Sequence, residues 1–242
     1  MSAVRVYDHR AMSHTTVMSL GGSIVVPDQV DIEFVNSFVS RMRNRLKHDP
    51  HWRLALVVGG GATARAYQQA ARTMDPDCPS VTQDRIGIAA TRVNAEVVRA
   101  AFGRLCPDPV VTDPTTPGPI TGKVVIAGGW KPGFSTDNVA VRLAESLGAM
   151  TVINLSNIKQ IYTADPKSNA DAEPLTQLSW GEFFGIAGEE WIPGKNTPFD
   201  PVASRRAAEL GMKVIAADGR DLDNLDAILE GRDFLGTTIG PG

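Results

Sequence analysis

Short apolar runs recur along the chain, each closed by glycine or a small polar residue and followed by a segment whose apolar residues return every third or fourth position. That alternation predicts βα units around a largely parallel sheet. Residues 17–20 form the first such strand. Beyond the Gly21-Gly22-Ser23 turn and Pro27, the set Ile32, Phe34, Val35, Phe38, Val39, Met42 and Leu46 lines one face of a helix over residues 31–47. Its outer face carries Arg41, Arg43, Arg45 and Lys47, bases that suit a helix C-terminus. Residues 54–58 predict a buried strand ending at Gly59-Gly60-Gly61, and a helix from about 62 to 74 leads to a proline-containing link over 75–80. A helix over 84–102 and a proline-rich surface connection over 107–119 follow. The strand Val124–Ala127, the loop GGWKPGFS and the helix Thr136–Leu147, closed by Gly148, continue the pattern. After a strand over 150–155, residues 158–198 are less regular, with a hairpin near Tyr162 and a short helix over 180–186. A helix over 200–210, a strand over 213–217, the helix Leu222–Glu230 and a strand over 236–239 complete it.

The expected fold is therefore α/β: a three-layer αβα sandwich around a mostly parallel sheet. Its 242 residues are 43% hydrophobic, enough for one such domain. Residues 1–13 read as a flexible N-terminal extension and 14–242 as a single domain. The balance of 24 basic and 27 acidic residues, net −3 and without Lys/Arg blocks, argues against a nucleic-acid polymer as partner but leaves small anions open. No apolar run is long enough for a membrane span and the first residues do not resemble a signal peptide, so the expected location is cytoplasmic. Cys78 and Cys106 have no CxxC partner or His cluster and are read as inert.

Three strand-to-helix junctions are rich in glycine: 21–23, 59–61 and 128–133. Glycine there lets backbone N–H groups converge on an anion at the positive end of a helix. One dinucleotide needs one such loop, whereas a phosphoryl donor and acceptor meeting head to head need several. Residues 59–64 satisfy G-x-G-x-x-A, but ARTMDPDCPS stands where the second strand and its acid would be needed. Residues 118–123 fall one short of a P-loop, and Val124 replaces its Ser or Thr. Ser135-Thr136-Asp137-Asn138 reads either as helix capping or as chemistry at the third junction. Asp84, Gly87, Thr91 and Asn94 share a helical cluster able to meet ribose hydroxyls and polar base edges; the plainer alternative is a solvated face with Asp84 as N-cap.

Taken in order, GGS, VVGGGATARAY, QDRIGIAATRVNA, IAGGWKPGFSTDNVA, SNIKQIYTADP, FDPVASRRA and GTTI resemble the uridylate (UMP) kinases of the amino-acid-kinase superfamily, closer to their archaeal-type branch than to the usual bacterial one. The resemblance covers residues 17–239. It implies transfer of the γ-phosphoryl of ATP to UMP in pyrimidine nucleotide synthesis, with Mg²⁺ held through the nucleotide phosphates and by no protein ligand. Position by position, Gly59, Gly60 and Arg65 would hold the UMP phosphate, and Asp84, with Thr91 and Asn94, the nucleoside. Gly129 and Thr136 would line the acceptor region, and Asp137 would sit at the transfer point, organising the basic group or the metal. Gly21, Gly22 and Ser23 would touch the ATP phosphates, while Asn157, Tyr162 and Asp165 would surround adenosine. Residues 14–150 would then form the acceptor half and 151–242 the donor half. A homohexamer built from dimers is also implied.

The chain departs from that pattern in three places. Ser19 stands where bacterial members carry a lysine, which makes Lys131 and Lys195 the candidate phosphate-bridging cations, each also readable as an ordinary solvated lysine. Lys159-Gln160 replaces an Asp-Gly pair, and Trp130 a small polar residue. Two alternatives follow: a non-catalytic nucleotide- or oxyanion-binding relative acting as sensor or store, and another phosphotransferase of the superfamily acting on an acyl or isoprenoid acceptor.

Overall fold

A computed structural model describes residues 15–166, 168–169, 171–188 and 197–242. The strands are β1 (Thr15–Leu20), β2 (Arg53–Val58), β3 (Val124–Ala127), β4 (Thr151–Ser156), β5 (Ile161–Tyr162), β6 (Pro174–Leu175), β7 (Gln177–Ser179), β8 (Lys213–Asp218) and β9 (Thr237–Gly240). The helices are α1 (Gly22–Val25), α2 (Ile32–His48), α3 (Gly61–Met74), α4 (Ser80–Phe102), α5 (Thr136–Leu147), α6 (Trp180–Ala187), α7 (Pro201–Glu209) and α8 (Leu222–Glu230). The sheet has seven strands in the order β3-β2-β1-β4-β8-β9-β7, while β5 and β6 form a separate antiparallel pair. All its pairings are parallel except β8 with β9.

Side chains alternate across each strand, so the sheet feeds two cores. On one face Val17, Ala55, Val57, Val152 and Val214 pack with Val139, Leu143, Phe183, Phe199 and Ala203 from the α5, α6 and α7 region. On the other, Met18, Leu20, Leu56, Ile126 and Ile153 pack with Phe38, Met42, Val98, Phe102 and Leu225 from α2, α4 and α8. The three expected layers are present. Gly148 closes α5 at φ 67° as expected, and Asp31 and Ser135 cap their helices by accepting from the backbone N–H three residues on.

Three details differ from expectation. Helix α4 begins at Ser80, one turn before Asp84, so Asp84 is an interior helical residue and not its N-cap; the extra turn is mostly exposed and carries no apolar period to reveal it. Strand β7 at the sheet edge escapes notice because Leu178 is its single buried residue. A short helix, α1, occupies what reads as a turn. Cys106 is buried and its thiol is pushed up to about 11, chiefly by loss of solvent, which keeps it protonated. Among the described residues no helix is long and apolar enough to cross a membrane. The expected extension, residues 1–13, and Lys195 lie outside the described residues.

Candidate functional site

Strand order runs outward in opposite directions from the β1–β4 pair, and in an open α/β sheet the crevice for ligands lies beyond the carboxyl ends of the strands at that reversal. The glycine junctions open there. Gly21 donates its N–H to Leu155 O (2.8 Å), and Gly59 donates to Leu20 O (3.0 Å), so both turns are stitched to strand ends. They also cross each other at main-chain contact. A Cβ on Gly22 would lie 2.0 Å from Gly61 N, and one on Gly59 would lie 2.3 Å from Gly22 N. Gly61 itself adopts φ +56°, a left-handed conformation that glycine tolerates. Glycine is thus required by contact between the two loops themselves.

Beneath this crossing the sheet carries a polar rung. Ser19 of β1 and Asn154 of β4 are register partners, 2% and 4% exposed, amid apolar neighbours. Ser19 Oγ donates to Asp137 Oδ1 (3.0 Å) at the start of α5. Asn154 Nδ2 donates to Pro198 O (3.1 Å), just before α7. The second Asp137 oxygen accepts the Asp200 N–H at 3.3 Å, and Asp200 caps α7 by accepting from Ala203 N. An ion pair between Arg206 and Glu145 holds α7 against α5 further along. Asp137 keeps part of its residue surface open, but the protein atoms crowding its carboxyl withdraw it from water and push it up to about 6. The hydroxyl of Ser19 and the Asp200 N–H oppose that shift, and the negative charge of Asp200 adds to it. Two buried polar atoms near this edge, Asn138 Nδ2 and Ser156 Oγ, have no hydrogen-bond partner.

On the β2–β3 side, α4 binds two glycine loops together. Asn94 Nδ2 donates to Gly59 O and Gly60 O, both at 2.9 Å, while its Oδ1 accepts from Thr63. Thr91 Oγ1 accepts from Gly129 N and donates to Ile88 O, each at 2.6 Å. These buried side chains bond the loop backbone and shape the site from below. Arg92, which sequence reasoning passed over, fixes the third loop by donating to Gly129 O and Trp130 O. Asp84 accepts from Gly133 N (2.8 Å) through one oxygen and thereby ties α4 to the tip of that loop.

The candidate cations are placed unequally. Arg65 is exposed, with its guanidinium donating to Pro27 O (2.9 Å). Lys131 Nζ rests 3.9 Å above the Trp130 ring and 5.0 Å from that of Phe134, with Arg142 over the same two rings. Thr136, partly exposed, opens α5 beside Asp137.

On the β4 side, Asn157 and Asp165 are exposed and Tyr162 half-buried along the connection into the β5–β6 hairpin. Gln160 is buried and donates to Gly236 O (3.1 Å), while Ile161 N donates to Thr237 Oγ1 (2.9 Å). The substitution at Gln160 thus serves to pin this hairpin to the start of β9; Lys159 is exposed. Among the described residues no group of three or more His, Cys, Asp or Glu side chains could hold a metal ion.

Comparison with known proteins agrees with this architecture. The sequence profile of the amino acid kinase family matches residues 14–218. A uridylate kinase from Methanospirillum hungatei is 37% identical over 93% of this chain and 94% of its own. One from Pyrococcus abyssi is 33% identical over 93% and 99%. Among solved structures, uridylate kinase from Archaeoglobus fulgidus superposes with TM-score 0.79 at 30% identity, covering 93% of this chain and 99% of its own. A UMP kinase from Bacillus anthracis, at 17% identity and TM-score 0.74, shares the fold.

Proposed function

The chain belongs to the amino acid kinase family, and from that premise we propose that it is a uridylate kinase, moving the γ-phosphoryl group of ATP onto UMP. The observation that carries the reading is the main-chain crossing of the first two glycine loops above Ser19 and Asp137. Two phosphate-binding turns in direct contact present a donor and an acceptor phosphate to each other. An oxygen of the UMP phosphate forms the bond to Pγ as the bond from Pγ to the ADP oxygen breaks. That attacking oxygen is already ionised, so positioning and charge compensation are the protein's task.

In this assignment Gly21, Gly22 and Ser23 receive the ATP phosphates, and Asn157, Tyr162 and Asp165 the adenosine. Gly59, Gly60 and Arg65 hold the acceptor phosphate, Asp84 the ribose, and Gly129 and Thr136 line the UMP phosphate and base region. Asp137 orients the cationic side chain, Lys131 or Lys195, that bridges the phosphates. Apart from the Gly21–Ser23 turn, residues 14–150 serve UMP and 151–242 serve ATP, and the cytoplasm supplies both. In this reading Mg²⁺ would ride on the ATP phosphates and lower their charge. The test is ADP release with UMP, CMP, dUMP or no acceptor. Release dependent on UMP is expected; equal rates with and without UMP overturn the assignment.

We further propose that the protein self-associates through α3 and α4. Helix α3 has no buried residue, and Tyr67 and Met74 on it are 65% and 81% exposed. Along α4, Ile86, Ala89, Val93 and Val97 recur at steps of three and four on one accessible face. Two copies of this stripe could pack knob into hole, whereas alone it leaves apolar surface in water. Val93→Glu is expected to lower the mass seen by analytical ultracentrifugation; an unchanged sedimentation profile argues for another face.

A further inference from the structure

We infer that Ser19 is a positioning residue for phosphoryl transfer: through its hydroxyl it fixes the Asp137 carboxylate beneath the crossing of the two loops and supports its charge. The inference rests on the kinase reading and deepens it. A serine on the fifth position of a six-residue strand whose last four residues are buried has no packing reason to be polar. Ser19 is 2% exposed and its hydroxyl is directed at one oxygen of Asp137, while the Asp200 N–H takes the other. The two oxygens of the carboxylate are thereby held from the β1 side and the α7 side at once.

The surroundings make the hydroxyl matter. Below Asp137, strands β1, β2 and β4 present Val17, Ala55, Val57 and Val152, with Ser19 and Asn154 as the polar exceptions. From α7 the facing charge is Asp200, which repels. Glu145 and Arg206, farther along α5 and α7, neutralise one another, and Arg142 turns to Asn138 and the Trp130 ring. Among the described residues, then, the ionised carboxylate is supported by hydrogen bonds and by no facing cation. Burial alone favours its neutral form, and a neutral carboxyl would orient a bridging cation poorly. Ser19 works against that neutralisation.

Kinetics of Ser19→Ala across pH test the idea. With the donor gone, the acid limb of log kcat should move to higher pH by about one unit, so that kcat falls about tenfold well below the limb and about twofold near neutrality. KM for ATP and for UMP should stay within about twofold, as expected when substrate binding is untouched. Ser19→Thr retains the hydroxyl and should restore the wild-type limb. Ser19→Cys, close in size and a poorer donor, should shift the limb in the same direction as alanine and carries the test if Ser19→Ala does not fold. UMP phosphate titrates near pH 6 as well, so the reading is the displacement between variants on the same substrate. A limb that superimposes on wild type in Ser19→Ala or Ser19→Cys overturns the inference, as does a threonine variant as impaired as alanine. Wild-type protein without UMP-dependent ADP release would instead overturn the kinase assignment itself.

Discussion

Asp137→Asn is expected to lower UMP-dependent ADP release by roughly 10²–10³-fold, the range found when one preorganised electrostatic group is removed from a reaction centre. Asparagine keeps the size of the side chain; with its carbonyl oxygen accepting from the Asp200 N–H, its amide NH2 would face Ser19 Oγ, which rotates its own proton away and accepts. What it lacks is charge. The loss should therefore appear in kcat, with nucleotide affinity preserved in equilibrium titrations. Stability should move the other way. The carboxyl of Asp137 is raised to about 6 from 3.8, so the folded state binds its proton more tightly than the unfolded chain does. Its stabilising contribution is complete below pH 3.8 and is lost as pH rises through about 6. At neutral pH the wild type therefore holds an unfavourable buried charge that the asparagine variant does not carry. Thermal unfolding of Asp137→Asn near pH 7 should occur at the wild-type temperature or above it. A variant that retains wild-type turnover, or one that unfolds well below wild type, removes Asp137 from the transfer point.

Gly22→Ala should have the largest effect on the fold of any single methyl group at the site. The added Cβ would lie 2.0 Å from Gly61 N and 2.7 Å from both Gly59 C and Gly60 N, all main-chain atoms. No rotamer change can relieve such overlap, so the two loops must separate. A cost of roughly 3 kcal/mol or more is expected in denaturant unfolding, together with loss of turnover, because the two glycine turns would no longer touch. Gly185→Ala supplies the control. Among the described residues no atom beyond its chain neighbours and its own helix backbone lies within 4 Å of its added Cβ, and the residue is inside α6, where alanine is favoured over glycine. That variant should unfold at or above the wild-type midpoint. Equal stability of the two variants would mean that the loops do not cross at van der Waals contact.

Much of this molecule is legible from local pattern. The periodicity of Phe34, Phe38, Met42 and Leu46 announces α2, and all four are buried. The glycine junctions mark the strand ends because close main-chain approach leaves no alternative residue. What local pattern does not disclose is partnership across the sheet. Ser19 and Asn154 each look like a lone polar residue in an apolar strand, and their pairing exists only once β1 and β4 are side by side. A polar residue at the same depth from the strand end in both runs, two positions before Gly21 and two before Ser156, was the available signal. Thr91 and Asn94 illustrate the opposite case. Their spacing on α4 is readable, but whether they face ligand or backbone depends on Gly59, Gly60 and Gly129, more than thirty residues away.

The contact between the first two glycine loops also limits how the protein can evolve. An ordinary steric conflict between side chains can be relieved by trimming the neighbour, so a harmful substitution has second-site suppressors. At Gly22, Gly59 and Gly61 the neighbours are one another's backbone atoms. There is nothing to trim. No compensating replacement elsewhere in either loop can open room for a side chain without lengthening or rerouting a turn. Descendants of this sequence can vary what surrounds the crossing, such as Trp130 or Asp84, while the crossing itself offers no neutral path to change.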